Sequence, residues 1–151
     1  MSGLGLRAMN DRELAVQAWE SLFRAQHAIF TDCADDFNGT ELTQSEYDVL
    51  LTVVRAPGQQ AKLREVTAQA LISQPSVSRL VDRMVTRGLV TKELDPSDGR
   101  GSIITATEEG ARRFRRIGAK HASHIAQRMS ALTPDELHTL MQLTQRLRGT
   151  H

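Results

Sequence analysis

Ser73-Gln74-Pro75-Ser76-Val77-Ser78-Arg79-Leu80-Val81-Asp82-Arg83-Met84, continuing through Val85-Thr86-Arg87-Gly88-Leu89-Val90, is the stretch on which the fold turns. Ser73 offers a side-chain oxygen for a helix N-cap, and Pro75 falls in the first turn, where a missing N–H costs little. Val77, Leu80, Val81, Met84 and Val85 recur at helical spacing, while Gln74, Ser76, Ser78 and Arg79 lie on or beside the polar face. Gly88 stands where a helix-ending residue of positive φ is expected. Leu89 to Leu94 alternates, and Asp95-Pro96-Ser97-Asp98-Gly99 is a dense turn cluster. Ser102 to Ala106 can then return as a second strand, making a β-hairpin directly after the helix.

Working outward, a short helix near Arg64 to Ala70 precedes this one across a break at Leu71-Ile72. A short helix, a brief turn and a second helix with a basic polar face are the parts of a helix-turn-helix, and the hairpin makes it winged. Gln59 to Leu63 reads as a connector or strand. Further upstream, Thr43 and Glu46 form a capping box for a helix that stops before Pro57-Gly58. Asn10 with Glu13 resembles another box, opening a long first helix to about Asn38-Gly39. That helix carries two apolar stripes: Leu14, Ala18, Leu22, Ala25 and Ile29, then Trp19, Phe23, Gln26, Phe30, Cys33 and Phe37. So wide a face must bury itself against more than one neighbour, and a partner chain is the natural second one. Downstream, Thr107-Glu108-Glu109 opens a helix to about Met129, and Thr133-Pro134-Asp135-Glu136 caps a last one bearing Leu137, Leu140, Met141, Thr144 and Leu147. The expected class is mainly α with a small β-hairpin wing. Residues 1–40 form an N-terminal dimerisation helix, 41–110 the winged helix-turn-helix lobe and 111–151 two C-terminal dimerisation helices sharing one core.

The whole chain, 151 residues with a formal net charge of +1, gives no hint of a polyanion partner. Its charge is unevenly spread. Residues 1–58 carry 4 Lys/Arg against 9 Asp/Glu, residues 59–116 carry 11 against 7, and residues 117–151 carry 4 against 2. A basic middle therefore follows an acidic first third, as a polyanion-facing segment would. The apolar runs are too short to span a bilayer, and residues 1–10 lack a secretion signature. Cys33 is the only cysteine, which excludes an internal disulfide and fits a reducing, cytoplasmic setting. No Ser-His-Asp, carboxylate-pair or phosphate-loop arrangement is present at recognisable spacing, so an enzyme is not expected.

Three segments, Leu63-Arg64-Glu65-Val66, the quoted stretch from Ser73 to Val90, and Asp95-Pro96-Ser97-Asp98-Gly99-Arg100 followed by Thr107-Glu108-Glu109-Gly110, occur in order. Together they resemble the MarR family of bacterial winged-helix transcription regulators. The sequence departs from the family pattern at Thr67, Leu71 and Ala106, none of which is a candidate DNA-contacting residue. The resemblance implies that the second helix enters the major groove of double-stranded DNA. There Arg79 suits guanine, Gln74 adenine, and Ser73, Ser76 and Ser78 bases or phosphate, with Arg83 reaching phosphate. Arg100 at the wing tip would enter the minor groove with Asp98 holding its guanidinium. Lys62, Arg64, Arg87 and Lys92 are the expected backbone contacts. Arg112 and Arg116 read as a solvated rim.

Family members dimerise through their first and last two helices and bind effectors between that region and the DNA lobe. The resemblance thus implies a homodimeric repressor of a pseudo-palindromic operator, released by a small aromatic or phenolic ligand. Trp19, His27, Phe30, His121 and His124 are the candidate pocket residues. No cofactor or metal is expected. His121 and His124 are spaced as metal ligands can be, but Cys33, His27 and Glu41 could complete a site only if the fold converges them. The alternatives are a winged-helix DNA binder without effector, a metal- or redox-responsive regulator, and a protein-interaction winged helix. A redox switch at Cys33 is disfavoured by Asp32, Asp35 and Asp36 nearby and by the lack of a resolving cysteine.

Overall fold

A computed structural model describes residues 10–70 and 76–149. The elements run α1 (Asp11–Cys33), a 3₁₀ turn (Ala34–Phe37), α2 (Gln44–Arg55), β1 (Gln60–Lys62), α3 (Leu63–Gln69), α4 (Val77–Thr86), β2 (Val90–Asp95), β3 (Asp98–Ala106), α5 (Glu108–Met129) and α6 (Pro134–Leu147). The three strands form one antiparallel sheet in the order β1-β3-β2. β1 is therefore a strand rather than a mere connector: it pairs Gln60 with Thr105 and Lys62 with Ile103, closing the base of the wing.

Caps explain most helix starts. Thr43 and Thr133 each accept from the N3 amide, and Glu46 and Glu136 reach back to the N-cap amide. At α1 only half of the expected box forms, with Asn10 accepting from Glu13 N at 2.8 Å. α1 also stops earlier than the apolar stripes indicate, since the chain tightens into the 3₁₀ turn after Cys33. α4 begins at Val77, and Ser76, not Ser73, is its N-cap, its hydroxyl accepting from Arg79 N at 3.1 Å. Ser73, Gln74 and Leu71 lie outside the described residues.

α4 buries Val77, Leu80, Val81 and Met84, which contribute about 6–12 kcal/mol of gross transfer free energy at about 1.5–3 kcal/mol each. Val85 falls off this face and is 39% exposed. The same core cluster holds Leu42, Leu50 and Val53 from the α2 region, Val66 from α3, Leu89, Val90 and Ile104 from the wing, and Ile117 from α5. Gly88 ends the α4 turn at φ +73°, the left-handed region expected for it.

One junction fastens the lobe to α5. The Leu89 carbonyl accepts from Thr107 N at 3.1 Å, and the Thr107 hydroxyl reaches Gly88 O at 2.6 Å. Gly110 lies so close that an added Cβ would fall 2.0 Å from Leu89 O. By contrast, α6 buries no residue and α1 buries only Cys33. Trp19 is 61% exposed, Phe23 55% and Leu147 73%. Among the described residues no helix is long and apolar enough to cross a membrane.

Candidate nucleic-acid interface and effector cavity

The cations of the lobe fall into two groups. Lys62 pairs with the buried Asp95 at 3.5 Å, Lys92 with Asp82 at 3.0 Å, and Arg87 with both oxygens of the buried Glu46. The guanidinium of Arg87 also donates to Glu41 O at 2.9 Å. Arg87, an expected phosphate contact, thus clamps the end of α4 to the start of α2. Lys92 likewise braces the wing on α4, and Lys62 braces the hairpin base. Arg64, Arg79, Arg83 and Arg100 form the second group: all four are exposed, and their guanidinium groups have no partner among the described residues.

α4 carries Ser78, Arg79 and Arg83 outward on the side opposite its buried face. Ser76 is spent as a cap through its oxygen, which leaves its hydroxyl proton free to donate. A groove of about 480 Å³ runs between α3 and the wing, lined by Arg64 and Thr67 on one side and Asp98, Arg100 and Gly101 on the other.

The wing differs from expectation in detail. Asp95 pairs with Asp98 across a turn at Pro96-Ser97, whereas Leu94 already pairs with Ser102. Gly99-Arg100-Gly101 therefore bulges out of the ladder, and Arg100 projects from this bulge rather than from the turn. Asp98 does not hold the Arg100 guanidinium. It accepts the Arg100 backbone N–H at 3.2 Å, an Asx-type bond that shapes the bulge and leaves the side chain free. Asp95 accepts from Ser97 N at 2.9 Å and Ser97 Oγ at 2.7 Å. Those donations, the hydroxyl first, hold its carboxyl below the usual range.

Beyond the wing, Arg112 and Arg113 both bond Glu109, and Arg116 pairs with Glu41 at 3.1 Å. The hydrogen bonds from Arg112 and then Arg113 lower the Glu109 carboxyl to about 2. This cluster is a rim of ion pairs.

A cavity of about 420 Å³ lies where α1, α2 and α5 meet, within the range of small-molecule sites. Phe30 and His121 of the expected pocket set line it, together with Cys33, Phe37, Tyr47, Leu51, Arg55 and Ile125. Trp19 and His27 do not; with Phe23 they line a separate pocket of about 430 Å³ formed by α1 alone. His124 is turned to Asp36 instead, at 2.8 Å. The stripe pattern placed Trp19 and Phe30 on one face, but they are about three turns apart along the helix, too far to share one pocket. Tyr47, stacked on Phe114 at 4.9 Å and edge-on to His121 at 5.2 Å, was the missed wall. Its place at N4 of a capped helix, beside a residue capable of stapling, was the available signal.

Residues 40–101 match the profile of the MarR family. YkoM of Bacillus subtilis, an uncharacterized HTH-type transcriptional regulator, is 30% identical over 145 residues, spanning 96% of this chain and 88% of its own. The chain belongs to the MarR family. It is accordingly a DNA-binding transcriptional regulator with the winged-helix fold. Among solved MarR structures, Sco3205 of Streptomyces coelicolor in complex with DNA is 24% identical with a TM-score of 0.75, covering 94% of this chain and 89% of that one. The PcaV regulator of the same organism, in complex with its natural ligand, is 27% identical with a TM-score of 0.60 and covers 99% of both chains.

Proposed function

We propose that this MarR protein is a homodimeric repressor that reads a pseudo-palindromic operator and is released by a small aromatic or phenolic ligand. The observation that carries the reading is the sorting of the lobe's cations. With Lys62, Arg87 and Lys92 spent internally, Arg79 and Arg83 on α4, Arg64 on α3 and Arg100 on the wing remain for DNA. Arg79 near the α4 N-terminus suits a bidentate guanine contact, with Gln74 and Ser78 beside it in sequence. Arg83 and Arg64 suit phosphate, and Arg100 suits the minor groove, where a lone guanidinium meets enhanced negative potential.

The exposed apolar side chains of α1 and α6, Trp19, Phe23, Met141 and Leu147 among them, support a second copy as their cover. Two recognition helices would then meet half-sites about 34 Å apart, and a dimer so seated would exclude other proteins from a promoter. The aromatic wall of the cavity, Phe30, Phe37 and Tyr47, fits a flat ring, and Arg55 at its rim fits a carboxylate or phenolate. A ligand there separates α5 from α2. Because α5 is fastened to Gly88 and Leu89, the ligand would favour a dimer whose α4 spacing no longer matches the operator. Sco3205 solved with DNA and PcaV solved with its natural ligand are consistent with both halves of the reading.

The test is fluorescence anisotropy with labelled DNA from upstream of the protein's own gene, random DNA as competitor, and a panel of aromatic acids and phenols. Expected are salt-dependent binding preferring the upstream fragment, loss on Arg79→Ala, and weakening by at least one ligand that Tyr47→Ala renders inert. Equal affinity for random DNA overturns the operator reading. Affinity unmoved across the panel leaves a DNA binder without effector.

A further inference from the structure

Where the end of α1 and the 3₁₀ turn meet the middle of α5, four side chains of metal-ligating type lie together: Cys33, Asp36, His121 and His124. One ligand atom each from Cys33, Asp36 and His121 lies within 4.8 Å of the other two, the one such convergence among the described residues. Asp36 is 7% exposed and Cys33 3%. The Asp36 carboxylate accepts from His121 Nδ1 at 2.8 Å on one oxygen and from His124 Nδ1 at 2.8 Å on the other. The Cys33 thiol makes no hydrogen bond among the described residues.

A His–Asp–His bridge alone would fasten α5 to α1. It does not account for a buried, unpartnered thiol at its edge. We propose that Cys33, Asp36 and His121 form a binding site for a divalent transition-metal ion of the zinc type, with His124 as the residue that positions Asp36.

The dimensions fit. With N and O ligands at about 2.0 Å and S at about 2.3 Å, a tetrahedral site has ligand–ligand edges of about 3.3–3.6 Å. All three ligand atoms already lie within 4.8 Å of one another and the Asp36–His121 pair stands at 2.8 Å, so shifts of at most about 1.5 Å bring the triangle to that size. Thiolate and imidazole donors select zinc over magnesium or calcium. A thiol that coordinates such an ion is deprotonated by the ion's own charge. Outer partners are also in place: His124 Nε2 lies 3.5 Å from Asp32, and Asp32 forms an ion pair with Arg128 at 3.1 Å. Cys33 and His121 both line the cavity as well, so the fourth position would face it and take water or an oxygen donor of a cavity ligand. An ion there would tie α1 to α5, the helix fastened to the DNA lobe.

The test needs no DNA and stands apart from the operator reading. Untagged full-length protein is stripped with a chelator and titrated with cobalt(II), then with zinc(II) in competition. Expected are one ion per chain and a thiolate-to-cobalt charge-transfer band in the near ultraviolet. Cys33→Ser abolishes the band, and His121→Gln weakens zinc binding about 100-fold. His124→Gln, acting through Asp36, weakens it about 10-fold, in the range of lost outer-shell partners. His27→Gln on the exposed face of α1 changes nothing. Helical circular dichroism accompanies each variant, and should His121→Gln not fold, the isosteric Cys33→Ser still decides. No charge-transfer band at saturating cobalt, or a band that survives Cys33→Ser, overturns the proposal.

Discussion

Arg87→Ala distinguishes a clamp from a DNA contact. Glu46 is 3% exposed, and in the native chain its carboxylate receives Thr43 N at 2.9 Å and the Arg87 guanidinium on both oxygens. Removing one partner of a fully buried ion pair costs about 3–5 kcal/mol, chiefly because a charge is left uncompensated. Two features reduce that here. The Arg87 side chain is 41% exposed, so water can enter its place, and the Thr43 amide stays. A loss of about 2 kcal/mol is therefore expected, the exposed half of the pair contributing little. For a chain of this size, that lowers Tm by about 4–8 °C. Urea unfolding followed by circular dichroism, at one fixed protein concentration because the proposed dimer would link stability to concentration, measures it. Glu46→Gln in the Arg87→Ala background removes the orphaned charge and should recover about 1 kcal/mol. The salt slope of DNA binding should not change. A stability loss under about 0.5 kcal/mol together with a slope reduced by about one would refute the clamp and restore Arg87 as a phosphate contact.

Other consequences are equally direct. Arg79→Ala should weaken operator binding by about 1–3 kcal/mol and relax one base position, read by selection from randomised operators; equal weakening on random DNA would make it a phosphate contact. Arg100→Ala should lower operator affinity without moving the urea midpoint, since its guanidinium makes no bond among the described residues. Gly110→Ala places a methyl against the Leu89 carbonyl and should cost more than about 2 kcal/mol, with α5 forced off the wing. Thermal unfolding at wild-type Tm would show that this junction yields easily. Ser97→Ala removes the hydroxyl donation to Asp95 and keeps that of the Ser97 backbone N–H, so the carboxyl should rise part of the way toward the ordinary 3.8. A depressed carboxyl stabilises above its unfolded value and loses that contribution as pH falls through the folded value. The wild-type wing should thus persist to lower pH than the variant's, as NMR of the hairpin amides can follow.

Local chemistry made the element order legible. Thr43 with Glu46, Thr133 with Glu136, Gly88 at positive φ and the alternation after Leu89 each act within a few residues, so neighbouring positions carry the whole signal. Where a local rule competed with another, the boundary moved. Ser73 looked like a cap, but the cap of α4 is Ser76, and the hairpin closes on Pro96-Ser97 with Arg100 displaced into a bulge. The exposed cations Arg64, Arg79, Arg83 and Arg100 were also readable, because a polar helix face and a turn cluster mark them without reference to the rest of the chain.

Tertiary structure alone decided how the other charges are used. Arg87 meets Glu46 across 41 positions, and His121 and His124 meet Asp36 across 85 and 88. No periodicity links residues that far apart. Their pairing depends on how α2, α4 and α5 pack, and on burial that makes an unpartnered charge too costly to leave. The sequence by itself determined a winged helix with a basic recognition face. Packing determined which of its cations are tied into ion pairs, where the cavity opens, and that Cys33 stands beside Asp36 and His121.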